Sequence, residues 1–175
     1  MSKTGNWFIR RHVHSTYEFH FCARGMCLVD TDDSSFLIKE GYFYLSSPGV
    51  YHTQRPANAE EFIEYSLNCN IIHRPEVSKN SLGEELENLF SVLTYSSCCP
   101  VADHYGVLAL FNEALEEADQ RRLGYEWTLQ SLIPRILVSA ARAKQASSIA
   151  SISEAECRLR AASASPSSLQ FRIES

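Results

Sequence analysis

A closed all-β unit followed by two or three α-helices is the fold class this sequence predicts, and three observations carry the prediction. Between Trp7 and about Asn70 the apolar residues come in short bursts rich in Tyr, Phe, Val and Ile, broken by turn chemistry such as Asp32-Asp33-Ser34-Ser35 and Ser47-Pro48-Gly49. After Pro75 the apolar spacing changes from two to about 3.6 residues. The chain has 175 residues, 45% apolar and 21% charged, which suits one domain with a sizeable core and is too hydrophobic for a disordered chain.

Taken in order, strands are expected near Trp7 to Ile9, Tyr17 to Ala23, Cys27 to Asp30, Phe36 to Ile38, Tyr42 to Leu45, Tyr51 to Gln54 and Phe62 to Asn68. So many short strands favour a sandwich or barrel, because closure or double-sheet packing removes exposed edges. Tyr17, Phe19 and Phe21 alternate with Glu18, His20 and Cys22, so this strand has no solvent-polar face and should be covered on both sides. The aromatic side is expected to pack under the helices or the opposite sheet. Ser81 and Glu84 then form a capping box ahead of Leu82, Leu86, Leu89, Phe90 and Leu93 on one helical face. A second amphipathic segment carries Leu108, Phe111, Leu115 and Ala118 on its stripe, and Gly124 ends it. A third runs from about Glu126 to Ala143 with Leu129, Ile133, Ile136, Leu137 and Ala140 at helical spacing. Pro134 should kink or split it, since an interior proline costs about 3 kcal/mol. The division expected is a barrel over 1–75, a helical dimerisation subdomain over 76–145 and a Ser/Ala-rich flexible tail over 146–175, with a helical turn around Ala155 to Arg160.

The formal charge of −5 argues against a surface that neutralises many phosphates, so no direct DNA binding is expected of this chain alone. Six cysteines without a CxxC pair, and an N-terminus without an apolar secretion segment, suggest a cytoplasmic protein with reduced thiols. The apolar runs are far shorter than the roughly 20 residues of a membrane span, so no membrane partner is expected.

Four potential metal ligands stand out: His12 and His14 two apart, Glu18 four further on, and His52 beyond a Pro-Gly turn. In extended backbone His12 and His14 point the same way, and so do Glu18, His20 and Cys22. If the Ser15-Thr16 link keeps the parity, all five line one face. Imidazoles with one carboxylate suit one divalent metal ion such as Zn, Mn, Fe or Ni, with open positions left for water or a ligand. The same four side chains also fit a second reading, a hydrogen-bonded cluster without metal. His20 and Cys22 read as pocket lining, and His73 and His104 as loop histidines. Phe36, Tyr42 or Tyr44, Tyr51 and Tyr65 are aromatics available to a small ligand, Tyr44 being the one assigned to the pocket.

The stretch His12-Val13-His14-Ser15-Thr16-Tyr17-Glu18, followed by Gly25, resembles the first cupin motif, and Gly41 to Pro48-Gly49-Val50-Tyr51-His52 resembles the second. Within the cupins the wording is similar to the N-terminal sensor domain of AraC-type transcription regulators, and Gly106 to Lys144 is similar to that family's helical part. The resemblance covers roughly residues 5 to 145. It implies a jelly-roll barrel with C-terminal helices, a ligand-binding domain that is not an enzyme, and a small-molecule effector such as a sugar or other polar metabolite. It also implies a homodimer, its interface drawn from Leu108, Phe111, Leu115, Ala118, Leu129, Ile133 and Ile136. AraC-type regulators continue into two helix-turn-helix units, and the tail here has no recognition-helix pattern or basic cluster. A metal-dependent cupin enzyme, an oxygenase or isomerase, is the alternative that the quartet itself raises.

Overall fold

The computed structural model describes residues 2–70, 81–94 and 98–163. Its elements in chain order are β1 (Ser2–Lys3), β2 (Ile9–His12), β3 (Tyr17–Arg24), β4 (Met26–Thr31), β5 (Ser35–Lys39), β6 (Tyr42–Ser46), β7 (His52–Pro56), β8 (Phe62–Cys69), α1 (Ser81–Thr94), β9 (Val101–Ala102), α2 (Val107–Gln120) and α3 (Tyr125–Ser163). The strands form two antiparallel sheets, one in the order β1-β8-β3-β6-β9 and the other in the order β2-β7-β4-β5. This is a mainly-β, double-sheet fold with C-terminal helices. The seven expected strands correspond to β2 through β8. The first and sixth begin late: Trp7 stacks on Phe62 with ring centroids 5.3 Å apart, and the sixth strand opens at His52 rather than Tyr51.

Strand β3 separates two apolar clusters. Phe19 and Phe21 face outward, where Phe43 and Leu45 of β6 and Val101 of β9 join Leu93, Val107, Phe111, Ile136 and Ala140 from the helices. Cys22 faces inward with Cys27, Val29, Ile38, Tyr44 and Phe62. Burial of each Phe in these clusters contributes on the order of 1.5–3 kcal/mol, enough to hold the helices on this sheet. The aromatic side of β3 thus lies under the helices, one of the two positions its alternation allows.

Two glycines are required where they stand. Gly25, between β3 and β4, has φ +76°, and a Cβ there would come within 2.2 Å of the Glu61 carbonyl oxygen. Gly49, at φ +82°, donates its N–H to the His14 carbonyl at 3.1 Å and so ties the turn before β7 to the segment after β2.

Helix α2 starts where β9 hands the chain over. Asp103 accepts the Val107 and Leu108 backbone N–H groups on its two carboxylate oxygens, each at 2.8 Å, which satisfies two orphan donors of the first turn. Two expectations bear on α3. The helix passes through Pro134 without being split: Gln130, whose carbonyl loses its usual donor, is exposed, so water can serve it. The helix also runs on to Ser163, so residues 146–163 are helical rather than a flexible tail. Extending a helix already nucleated by packing is easy for Ala, Gln, Glu, Arg and Leu, even without an apolar stripe. The rest of the tail, the boundary at Pro75, His73 and the Ser81 side chain of the capping box lie outside the described residues. No helix among the described residues is long and apolar enough to cross a membrane.

Candidate metal centre and barrel cavity

The inner faces of both sheets build one polar site. His12 ends β2 and stands directly opposite His52, the first residue of β7, with ring centroids 4.2 Å apart. His14 follows β2 in the segment held by Gly49, and Glu18 comes from β3 in the other sheet. One ligand atom from each of His12, His14, Glu18 and His52 lies within 4.8 Å of all the others. These side chains meet through a different geometry from the single face that parity suggested: Ser15 and Thr16 carry the chain across from one sheet to the other, and the two inner faces look at each other.

The contacts of the quartet favour a cation at its centre. His12 Nδ1 lies 2.9 Å from the Arg10 carbonyl, so this nitrogen is the N–H donor and Nε2 keeps the lone pair. His52 Nδ1 lies 3.4 Å from both the Val50 carbonyl and Ser46 Oγ. With the proton on that side, His52 Nε2 turns a lone pair toward Glu18 Oε2 at 3.7 Å. His14 Nε2 is 2.8 Å from the same oxygen. Yet His14 Nε2, His52 Nε2 and Glu18 Oε2 are buried and none makes a properly directed hydrogen bond. Buried ligand atoms that converge without well-directed hydrogen bonds are under-satisfied, and a divalent ion would satisfy them. The donor set, three imidazoles and one carboxylate, is one that first-row divalent metals accept.

The protonation states agree. Burial and the neighbouring His20 and His12 push the His52 pKa down to about 4, so His52 is a neutral imidazole near pH 7. Burial alone would raise the Glu18 pKa, but His20, His14 and His52 together hold it below the usual carboxylate range.

Behind the quartet lies a second buried network, centred on His20. Its Nε2 is 3.1 Å from Glu18 Oε2 and its Nδ1 is 3.0 Å from Glu64 Oε1, so one imidazole spans two carboxylates. Burial pushes the His20 pKa down, but these two carboxylates outweigh it and the net shift is upward. Gln54 donates through Nε2 to Tyr44 Oη at 2.7 Å and to Glu64 Oε1, while Lys3 Nζ donates to Glu64 Oε2 at 3.0 Å and to Gln54 Oε1 at 3.2 Å. Burial pushes the Glu64 pKa up, His20 and Lys3 pull it down, and the balance falls at about 2.

A cavity of about 360 Å³ opens beside both networks. His12, His14, Glu18 and His20 line it, as expected, together with Lys3, Gln54, Glu64 and Ser66. Tyr44, Cys22 and His52, also expected there, do not. Tyr44 is fully buried and stacks on His20 at 4.3 Å, a support for the site rather than its wall. Cys22 points deeper into the inner apolar cluster, its Sγ donating to the Gly25 carbonyl at 3.4 Å, with burial pushing its pKa up to about 12. His104 is exposed. Glu64 carried a signal in the sequence, an acid at the same parity as Phe62 in a strand whose opposite parity, Ile63, Tyr65, Leu67 and Cys69, is apolar; Lys3, in a two-residue strand, carried none.

Of the residues expected at a dimer interface, Phe111 and Ile136 are buried in the protomer's own core, and Leu108 packs against it. Leu129 is half-buried, while Leu115, Ala118 and Ile133 are exposed.

Two facing antiparallel sheets with histidines and a glutamate gathered between them define a cupin-type binding barrel. The AraC-like ligand binding domain family matches residues 3–137, and the chain belongs to that family. Among solved structures it is similar to the Schizosaccharomyces pombe Cnp3 cupin domain (11% identity, TM-score 0.38, covering 40% of this chain and 52% of that one). It is also similar to a conserved Streptococcus pyogenes protein of unknown function (18% identity, TM-score 0.37, 41% of this chain and 61% of that one). A third is vicilin from hazelnut, Corylus avellana (13% identity, TM-score 0.37, 41% and 22%). The matched region thus spans less than two thirds of each of these chains. Among curated proteins none matches.

Proposed function

We propose that the chain is the effector-binding part of an AraC-type transcription regulator and that its barrel holds one divalent metal ion on His12, His14, Glu18 and His52. The observation that carries the metal reading is the convergence of one ligand atom from each of four side chains within 4.8 Å, several of them buried without a well-directed hydrogen bond, in a domain of the AraC-like ligand-binding family. When bound, a divalent ion supplies a Lewis acid that polarises an oxygen-bearing ligand. The protein's own groups do the positioning: the Arg10 and Val50 carbonyls fix the tautomers of His12 and His52, and His20 orients Glu18 from behind. An effector acts by binding better to one arrangement of barrel and helices than to another. A homodimer through α2 and α3 is part of this reading. It is supported by the exposed Ala118 and Ile133 and by Leu123 and Trp127 at the helix junction, the latter 79% exposed.

The test is elemental analysis of protein purified without chelators and then incubated with Zn, Mn, Fe or Ni. One equivalent is expected in the wild type, most of it lost in His52→Ala and all of it kept in His104→Ala. Substoichiometric metal in the wild type overturns the metal part, and the four side chains are then hydrogen-bonding groups for an organic ligand or for one another. A metal-dependent cupin enzyme is the second reading, favoured by the way three of the four residues border an open cavity. Turnover on a panel of oxygenase and isomerase substrates by the loaded protein, lost in His52→Ala, would replace the first reading with it.

A further inference from the structure

The wall of the cavity changes character from one end to the other, and the change specifies an occupant. At the inner end stand Lys3, Glu64, His20 and three of the quartet, His12, His14 and Glu18. At the outer end stand Ile9 of β2, Tyr65 of β8, and Phe111 and Leu115 of α2. Phe111 is itself locked in place, its ring 4.9 Å from Phe21 and 5.7 Å from Tyr65. Leu115 is 42% exposed, so of the two α2 residues that line the cavity it is the more open to solvent.

We infer that the cavity takes a small organic acid with a hydrocarbon body, its carboxylate at the Lys3 and quartet end and its apolar part against Phe111 and Leu115. The charge at the inner end rests on the metal reading above. With a divalent ion in place, two carboxylates are set against that ion and one ammonium, so the cavity is net positive even if every imidazole is neutral. The apolar end rests on no metal. A sugar carries hydroxyls all round, and each one turned against Ile9, Phe111 or Leu115 would lose water without gaining a partner, at a cost of about 1–3 kcal/mol. A hydrocarbon body incurs no such cost. The volume of about 360 Å³ lies at the small end of the roughly 300–1,000 Å³ spanned by ligand sites, which suits a single metabolite-sized molecule. Because α2 supplies the apolar end, the occupant touches a helix directly and not only the barrel.

The test is calorimetric titration of the zinc-loaded protein with 4-methylpentanoate, its neutral amide 4-methylpentanamide, acetate and a pentose. The expected result is tightest binding by 4-methylpentanoate, with the amide and acetate each at least tenfold weaker and the pentose weaker still. Leu115→Asn should weaken 4-methylpentanoate about tenfold and leave acetate unchanged, a difference that a general loss of structure would not produce. Failure of 4-methylpentanoate to bind the loaded protein, or an unchanged affinity in Leu115→Asn, overturns the inference. Tighter binding by the pentose overturns it while leaving the sensor reading intact. Absence of zinc uptake with retained 4-methylpentanoate binding overturns the metal part of the charge argument and upholds the apolar part.

Discussion

Replacing Glu64 with Gln keeps the shape of the buried network and removes the charge on which both Lys3 and His20 lean. Lys3 Nζ and Glu64 Oε2 are 3.0 Å apart, with each side chain only 9% exposed, so neither charge has much water to fall back on. The Glu64 pKa, ordinarily 4.5, falls to about 2: burial works against the charged form, and His20 and Lys3 more than compensate. At about 1.4 kcal/mol per pKa unit, that displacement corresponds to about 3 kcal/mol in favour of the folded, ionised state. Breaking a buried pair by removing one partner generally costs a similar amount, about 3–5 kcal/mol, because the other charge is left stranded. Urea unfolding of Glu64→Gln at pH 7 should therefore show a loss near 3 kcal/mol. The sign of the pH dependence follows from the depressed folded-state value. The contribution is fully present above the unfolded carboxyl's pKa and disappears as pH falls toward that of the folded state, so the gap between wild type and variant should close between about pH 4.5 and 2. Adding Lys3→Met to Glu64→Gln should recover part of the loss, since the stranded ammonium goes with it. A pH 7 difference below about 1 kcal/mol, or a gap that stays constant down to pH 3, would refute this account of the network.

Gly25→Ala should cost at least about 2 kcal/mol in urea unfolding, because a left-handed φ already penalises any side chain and the new Cβ would also strike the Glu61 carbonyl. Lys144 is buried on α3 and its Nζ has no hydrogen-bond partner among the described residues, so Lys144→Met should stabilise the fold by about 1 kcal/mol or more. Burial lowers the Lys144 pKa despite the opposing pull of Cys99 and Cys98, so the penalty should fade as pH rises toward the ordinary lysine value, and the advantage of the variant with it. Ile133→Glu, on an exposed position of α3, should leave a folded monomer by light scattering; a variant that stays dimeric, or a wild type that is monomeric at high concentration, would remove this seam from the dimer reading.

Strand β3 was legible in the sequence because its alternation has no polar-outside solution: Phe19 and Phe21 needed cover on one side and Glu18 and His20 on the other. The quartet was legible for a related reason, since four metal-binding side chains in two short stretches could meet only if those stretches bordered one interior. Cys22 shares the parity of Glu18 and His20 but sits further along β3, where the interior closes over Val29, Ile38 and Phe62, and parity carries no information on depth. The two-residue strands β1 and β9 have no period to detect, which is why Lys3, and with it half of the Glu64 network, stayed hidden. The continuation of α3 to Ser163 leaves no apolar stripe in the sequence, because a helix anchored by Leu132, Ile136 and Ala140 can propagate through residues that have none.

The same strand that made the fold readable also constrains how the domain can signal. Glu18 and His20 face the site while Phe19 and Phe21, the residues between and beyond them, carry the helices, so β3 cannot shift for one without shifting for the other. Phe111 closes the circuit from outside: it packs on Phe21 and Tyr65 and also borders the cavity. A close-packed interior deforms little by degrees, so a change in how α2 sits is expected as a choice between discrete packings. If a ligand favours one packing, a partner subunit held by the same helices must favour or oppose it by the same coupling free energy, because linkage is reciprocal. With one cavity per subunit, the factor by which saturating ligand alters the dimer dissociation constant must then equal the square of the factor by which dimerisation alters that ligand's affinity per site. Titrating the wild type and the Ile133→Glu monomer with the same ligand measures the second factor, and sedimentation of the wild type with and without that ligand measures the first. Factors of one in both measurements would mean that α2 does not couple the cavity to the dimer contact.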